Sequence, residues 1–195
     1  MPYDLKATLQ GLPDFPRLEG PRVRLRGPRD QDTDALFAVF SDPRVMRYWS
    51  RSAMATPSEA AALIVEIGER FEQRETINWV VADLQDDAVI GTCTLYQFSP
   101  RHRRGEIGYT LRSDLWGRGL AREAVALAVD WAFDVLALHR VEADVDPRNE
   151  PSRRLLQALG FRSEGVARER FFVEDQPTDS EWFGLLAADW RKRNA

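Results

Sequence analysis

Gly117 and Gly119 stand one residue apart, with Arg118 between them and Arg122 three residues on. The turn Trp116-Gly117-Arg118-Gly119 cannot be regular structure, because its glycines permit backbone angles that other residues avoid. Directly after it, Leu120, Ala124, Leu127, Ala128, Trp131 and Val135 recur at three- and four-residue steps, while Arg122, Glu123, Asp130 and Asp134 fall off that stripe. This is the pattern of an amphipathic helix. Such a helix would aim its unbonded first-turn N–H groups, and the positive end of its dipole, at the turn. Glycine lets a ligand approach the main chain, and Arg118 and Arg122 add full charges, so a pyrophosphate is the guest this unit suits. A Gly-x-Gly turn also serves simply to reverse a chain. The segment is not a Walker loop, for no Gly-Lys-Ser/Thr follows, and it lacks the third glycine and strand-end acid of a dinucleotide fingerprint.

Several elements must position this unit. Residues 106–111 partly alternate apolar and polar, as a half-buried strand does. Residues 140–145 read as a second strand, ended by Pro147. A helix joins the two, so they must run parallel in one sheet. Upstream, residues 22–26 alternate cleanly, with Val23 and Leu25 inward, until Gly27-Pro28 stops the strand. Asp30, Asp32 or Thr33 can cap a helix carrying Leu36, Phe37, Val39 and Phe40, and Ser41-Asp42-Pro43 breaks it. Val45, Met46, Tyr48 and Trp49 follow in a short irregular piece. Thr56-Pro57-Ser58-Glu59 then combines an N-cap, a first-position proline and a capping-box glutamate ahead of Leu63, Ile64, Ile67 and Phe71. Residues 78–83 and 89–98 read as a hairpin around Gln85-Asp86-Asp87. Asn149 can cap a helix with Leu155, Leu156 and Leu159, and Gly160 stops it. Two further strands are expected around residues 162–170 and 180–186. Residues 1–18, with Pro2, Pro13 and Pro16, read as an irregular lead-in. With no repeat or linker, residues 1–195 read as one mixed α/β domain.

Composition agrees. A chain of 195 residues, 44% hydrophobic and 30% charged, is that of a globular protein with one sizeable core. No apolar run approaches the roughly 20 residues of a spanning helix. The first ten residues lack a signal-peptide core, which makes the cytoplasm the expected location, with no membrane partner. The single cysteine, Cys93, excludes an internal disulfide; beside Ile90 and Leu95 it reads as a buried inert thiol rather than a nucleophile. The two histidines, His102 and His139, share no zinc-site spacing, so no metal is expected. A net charge of −4 gives no general attraction to nucleic acid, and Arg101, Arg103 and Arg104 read as a solvated loop.

The run Trp116-Gly117-Arg118-Gly119-Leu120-Ala121 resembles the acetyl-CoA pyrophosphate loop of the GNAT superfamily of N-acetyltransferases, written Gln/Arg-x-x-Gly-x-Gly/Ala. Gly119 and Ala121 fit that pattern. Trp116 occupies the Gln/Arg place, a departure similar to the branch that acetylates the N-termini of ribosomal proteins. Glu106-Ile107-Gly108-Tyr109, Asn149-x-x-Ser152 and Leu159-Gly160-Phe161 are similar to that branch as well. The resemblance runs from about residue 22 to residue 190. It implies a single mixed, mostly antiparallel sheet of about six to seven strands with about four helices, its one parallel pair splayed to hold acetyl-CoA. It also implies that the first two helices flank an acceptor cleft, so Tyr48 and Trp49 are either a satellite core or a wall of that cleft.

Acetyl transfer to an amine requires that the thioester be held, its carbonyl polarised, the ammonium deprotonated and the leaving thiolate protonated. Direct transfer needs no enzyme nucleophile. Holding falls to Gly117, Arg118, Gly119, Leu120 and Ala121, with Trp116 at the loop's start. The resemblance adds main-chain contacts from Tyr109, Thr110 and Leu111 to the pantetheine arm, with one amide there polarising the carbonyl. Glu106 is the first choice of base, since a carboxylate near an apolar cleft has a raised pKa and can accept a proton. The alternative is a strand glutamate paired with Arg104 or Arg112. Glu169 and Glu174 are later candidates; the branch's glutamate falls near Phe171. The resemblance points to Ser152 as the acid, with helix capping as its alternative role and Tyr109 as an alternative donor. Asn149 and Arg153 are candidate cofactor contacts at the same helix start. The expected acceptor is a protein N-terminus or another primary amine; a small amine such as an antibiotic, polyamine or amino acid is the alternative, and a non-catalytic acyl-CoA sensor is a third reading. Trp182 or Phe183 could mark an interface, a homodimer included, although single aromatics in a terminal strand are more often core.

Overall fold

The computed structural model describes residues 4–49, 51–173 and 175–194. The strands are β1 (Leu18–Glu19), β2 (Val23–Arg26), β3 (Ile77–Asp83), β4 (Val89–Ser99), β5 (Arg104–Leu111), β6 (Arg140–Val145), β7 (Arg162–Val173) and β8 (Gln176–Leu186). The helices are α1 (Leu5–Gln10), α2 (Thr33–Phe40), α3 (Pro43–Met46), α4 (Pro57–Glu72), α5 (Leu120–Asp134), α6 (Glu150–Leu159) and α7 (Ala187–Asn194).

The strands form one sheet in the order β1-β2-β3-β4-β5-β6-β8-β7. Neighbours are antiparallel except β5 and β6, the pair that the intervening helix requires to run parallel. Adjacent residues on β3 divide the interior between two faces. Trp79 packs with α5 and α6, its ring meeting Trp131 edge-on at 5.5 Å. Val80 packs with α2, α3 and α4. Local chemistry starts and stops the elements as expected. Thr56 and Glu59 form the capping box of α4, and Gly160, at φ 94°, ends α6.

One ion pair ties β2 to the entry of α2. Arg26, on β2, makes two bonds to Asp32 at 2.7 and 3.0 Å, both side chains buried. Asp32 also accepts the Arg29 N–H at 2.7 Å, fixing the entry to α2. Arg26 further reaches Asp87 at 3.1 Å, so its buried charge is fully engaged.

Five expectations need correction. The sheet has an eighth strand, the two-residue β1, too short to announce itself by alternation. The lead-in is not wholly irregular: Asp4 caps α1, whose Leu5 and Leu9 are buried in the main core. Residues 43–46, read as irregular, form the turn α3, capped by Asp42 with Pro43 at its first position. With α7, these helices raise the count to seven among the described residues. Val135, assigned to the apolar stripe, is 45% exposed because α5 has already ended at Asp134. Phe183 is buried core, and Trp182 is half-buried on the face of the cleft described below.

Candidate active site

The loop after β5 is shaped by its two glycines. Gly117 and Gly119 adopt φ 76° and 78°, in the left-handed region. A Cβ on Gly117 would meet nothing within 4 Å, so there the backbone angle alone calls for glycine. Gly119 is the N-cap of α5 and offers no side chain to its first-turn N–H groups. Arg22 holds the loop from outside. Its Nη1 donates to the Arg118 carbonyl at 2.9 Å, and its Nε pairs with Glu123 Oε2 at 2.8 Å. Glu123 Oε1 in turn accepts the N–H groups of Arg22 and Val23, at 2.7 and 3.1 Å. The start of β2 and the first turn of α5 are thereby locked together. Leu120 is buried and Ala121 half-buried, so those two offer the loop's surface mainly main chain, while the side chains of Arg118 and Arg122 are exposed. Trp116 has its indole N–H on the Leu111 carbonyl at 2.8 Å, leaving the ring about half exposed.

Beside the loop the sheet opens. β5 and β6 pair only at Arg104↔Arg140, Gly105↔Val141 and Glu106↔Glu142, and beyond Glu106 they part. Residues 107–111 keep β4 on one edge and, among the described residues, have no strand on the other. The outward N–H and C=O groups there are a fit for an extended amide-bearing arm, as the glycine loop fits a pyrophosphate. Of the expected contacts, Thr110 can contribute only its main chain, since its hydroxyl meets Thr92 Oγ1 at 2.8 Å in the interior. Leu111 is buried, with its carbonyl taken by Trp116.

A cleft of about 430 Å³ lies at this split. Glu106 lines it, half-buried, from the face of β5 that also bears Gly108. No arginine neutralises it directly: Arg104 pairs with Glu142, and Arg112 with Asp114. The Tyr96 hydroxyl, from the residue directly opposite on β4, hydrogen-bonds the Glu106 carboxylate. Burial first, then the charges of Glu142 and Asp144, push the Glu106 pKa above the ordinary carboxylate range; Arg104 and the Tyr96 bond oppose this. Asp144 is raised too, chiefly by burial, although Ser180 hydrogen-bonds it and Arg170 lies 4.0 Å away.

On the other face of β5, Tyr109 reaches α6. Its hydroxyl lies 2.7 Å from Ser152 Oγ. Asn149 caps α6 by accepting the Ser152 N–H at 3.2 Å, which fixes the serine's position, and both residues line the cleft. Burial raises the Tyr109 pKa well above that of a free phenol, so the hydroxyl keeps its proton at neutral pH. Arg153 is turned elsewhere. Its Nε binds buried Glu181 at 2.6 Å and its Nη1 pairs with Glu150, so the guanidinium braces α6 against β8.

Glu106, Tyr109, Asn149 and Ser152 are thus brought to one cleft, and residues 116–121 lie along the continuation of β5. Glu169 is exposed, with its N–H on Asp179 at 2.9 Å, and does not line the cleft, whereas Phe171 does. Glu174 falls outside the described residues. Tyr48 and Trp49 line the cleft, and Trp49 also packs against the second core cluster, its ring meeting Phe40 edge-on at 6.3 Å. Sequence reasoning missed Tyr96 and Asp144. Asp144 alternates with Glu142 on a strand whose limits were legible, and that signal would have placed it beside Glu106. Tyr96 needed the β4–β5 register. Cys93 is buried, with its pKa pushed up to about 12 by burial, which makes it inert.

Residues 22–162 match the family described as the acetyltransferase (GNAT) domain. The chain is 34% identical over 172 residues to the uncharacterized N-acetyltransferase YoaA of Bacillus subtilis, covering 88% of this chain and 97% of that protein. It is 29% identical over 154 residues to the spermidine N(1)-acetyltransferase of Escherichia coli K12, covering 79% and 80%. The solved ribosomal-protein-S5-alanine acetyltransferase of Vibrio fischeri superposes with a TM-score of 0.78 at 27% identity, covering 90% of this chain and 98% of that one.

Proposed function

Since the chain belongs to the GNAT acetyltransferase family, whose members move an acetyl group from acetyl-CoA to an amine, we propose that it acetylates a protein N-terminal α-amino group such as that of a ribosomal protein, with residues 1–195 acting as one unit. The observation that carries the reading is the parting of β5 and β6 beyond Glu106, with Glu106 reaching the cleft from one face and the Tyr109–Ser152 pair from the other. The similarity to the S5-alanine acetyltransferase over nearly the whole chain supports the choice of acceptor.

Acetyl-CoA supplies an acetyl group activated as a thioester. The uncapped N–H groups at the start of α5, with Arg118, hold its pyrophosphate, and Arg22 keeps that loop in shape. The open edge at Tyr109 and Thr110 holds the pantetheine arm as far as Leu111, whose carbonyl Trp116 already occupies, and an amide there polarises the thioester carbonyl. The Glu106 carboxylate takes the proton from the acceptor's ammonium, directly or through water. Its raised pKa makes it a stronger base than an ordinary carboxylate. Ser152 Oγ, backed by the Tyr109 hydroxyl, gives a proton to the departing sulfur. Asn149 sets the serine's position, and Arg153 contributes by bracing α6.

A second reading, a small cationic amine, is favoured by the carboxylates of Glu106, Asp144, Asp146 and Asp179 in the cleft lining and by the similarity to the spermidine enzyme. Measuring CoA release from acetyl-CoA with a panel of N-terminal peptides and small amines separates the two. Release with peptides alone supports the first reading, release with small amines alone replaces it with the second, and release with neither overturns both.

A further inference from the structure

One cation already lies in the acceptor cleft. The Arg170 guanidinium carbon sits 4.8 Å from the centre of the Trp182 ring and 5.6 Å from that of Phe171. Its Nε is 4.0 Å from Asp144 Oδ2. All four residues line the cleft. The placement depends on a break in β7: the ladder to β8 shifts between Ala167 and Phe171, and Glu169 takes φ 50°, an unusual angle for a non-glycine residue. Bulges of this kind re-aim side chains beside active sites, and this one turns Arg170 inward.

The seat and its occupant differ in how firmly they are held. Asp144 is largely buried, its side chain 13% exposed, and is bonded by Ser180, which is fully buried. Arg170 is 47% exposed, with no side-chain hydrogen bond among the described residues and only the long pair to Asp144. A cation on an aromatic face beside a desolvated carboxylate is well placed, but a half-exposed ion pair at that distance is readily exchanged. Asp144 is two residues along β6 from Glu142, which stands opposite Glu106, and on the same face. Strand geometry separates Asp144 from Glu106 by roughly 8 Å, and more where the strands part.

Resting on the acetyl-transfer reading, we propose that Asp144, Trp182 and Phe171 form a second cation seat in the acceptor cleft, distinct from the place of the reacting amine at Glu106, and that Arg170 is its internal occupant. The acceptor is then a primary amine bearing a second positive charge a short chain away, and it binds by displacing Arg170. Such a dication can be a small diamine or a peptide N-terminus followed by a basic side chain.

The seat is tested by calorimetric binding, apart from turnover. The probes are 1,4-diaminobutane against 1-butylamine, and Ala-Lys amide against Ala-norleucine amide. At least one dicationic probe is expected to bind about tenfold or more tightly than its partner, and which pair shows it identifies the source. Asp144→Asn, which preserves shape and the bond from Ser180, is expected to abolish that preference, whereas Arg170→Gln strengthens dication binding severalfold and leaves the monoamine nearly unchanged. Equal binding within both pairs, or a preference that survives Asp144→Asn in a variant with unchanged melting temperature, overturns the seat. CoA release with the same amines is read separately: binding preference without release overturns the acetyl-transfer reading and leaves the seat standing.

Discussion

The Tyr109 hydroxyl lies 2.7 Å from Ser152 Oγ, joining β5 to the first turn of α6 across the split in the sheet. A proton leaving either oxygen can be replaced from the other, so the two behave as one donor. Ser152→Ala is expected to lower kcat by about tenfold, less than the roughly 10²–10⁴-fold loss of an isolated general acid. Tyr109→Phe should cost a similar factor, and the double variant at least the product of the two, because neither oxygen is then left to donate. Steady-state kcat with saturating acetyl-CoA measures this, and full turnover in Ser152→Ala would remove the serine from the proton path.

The proposed base, Glu106, can act only when deprotonated. Its pKa is raised, so kcat/KM should climb with pH through a value above the ordinary carboxylate range. Asp144→Asn removes one of the charges that raise it and should move this acidic limb to lower pH. Glu106→Gln should reduce kcat by on the order of 10²-fold or more.

The same shift has a stability consequence of the opposite sign. In the folded chain Glu106 holds its proton to a higher pH than in the unfolded chain, so stability falls as pH rises from the unfolded to the folded pKa. The neutral Glu106→Gln variant escapes that cost. Its melting temperature at pH 7 should equal or exceed that of the parent while turnover is lost. A lower melting temperature would show Glu106 to be a structural carboxylate.

The glycine loop separates binding from chemistry. Arg22→Ala removes the bond to the Arg118 carbonyl and the pair with Glu123, and is expected to raise KM for acetyl-CoA about tenfold, worth about 1.4 kcal/mol, with kcat little changed. Gly117→Ala meets open space, so its stability cost should be only that of the left-handed angle, about 1–2 kcal/mol. Thermal melts and acetyl-CoA titrations of both variants test this division. An unchanged KM in Arg22→Ala would show that the loop keeps its shape without the clamp.

The buried Arg26–Asp32 pair should contribute strongly to the stability of the junction between β2 and α2. Asp32→Ala leaves a buried guanidinium partly uncompensated and should cost about 3–5 kcal/mol. Denaturant unfolding measures it; a loss under about 1 kcal/mol would place the pair among surface bridges.

Elements made by local rules were legible. The capping box at Thr56, the stop at Gly160 and the helix start after Gly119 each depend on residues within a turn of one another. So did the glycine loop, whose glycines are required by their own backbone angles. Shorter elements were not legible. The two-residue β1 and the single turn α3 are too brief for periodicity, and α1 exists because Leu5 and Leu9 fill a core built by distant segments.

The chemistry of the site divides in the same way. Local sequence determined that Glu106 would project from a strand and that Asn149 and Ser152 would begin a helix. It could not determine what each would touch, because partners come from registers and crossings between segments far apart in the chain. Tertiary structure alone set Tyr96 opposite Glu106, turned Arg153 onto Glu181, closed Tyr109 on Ser152, and brought Arg170 from the β7 bulge over Trp182 beside Asp144. A backbone angle is chosen by a residue and its near neighbours, whereas the pKa and the partners of a side chain belong to the space into which the whole sheet folds it.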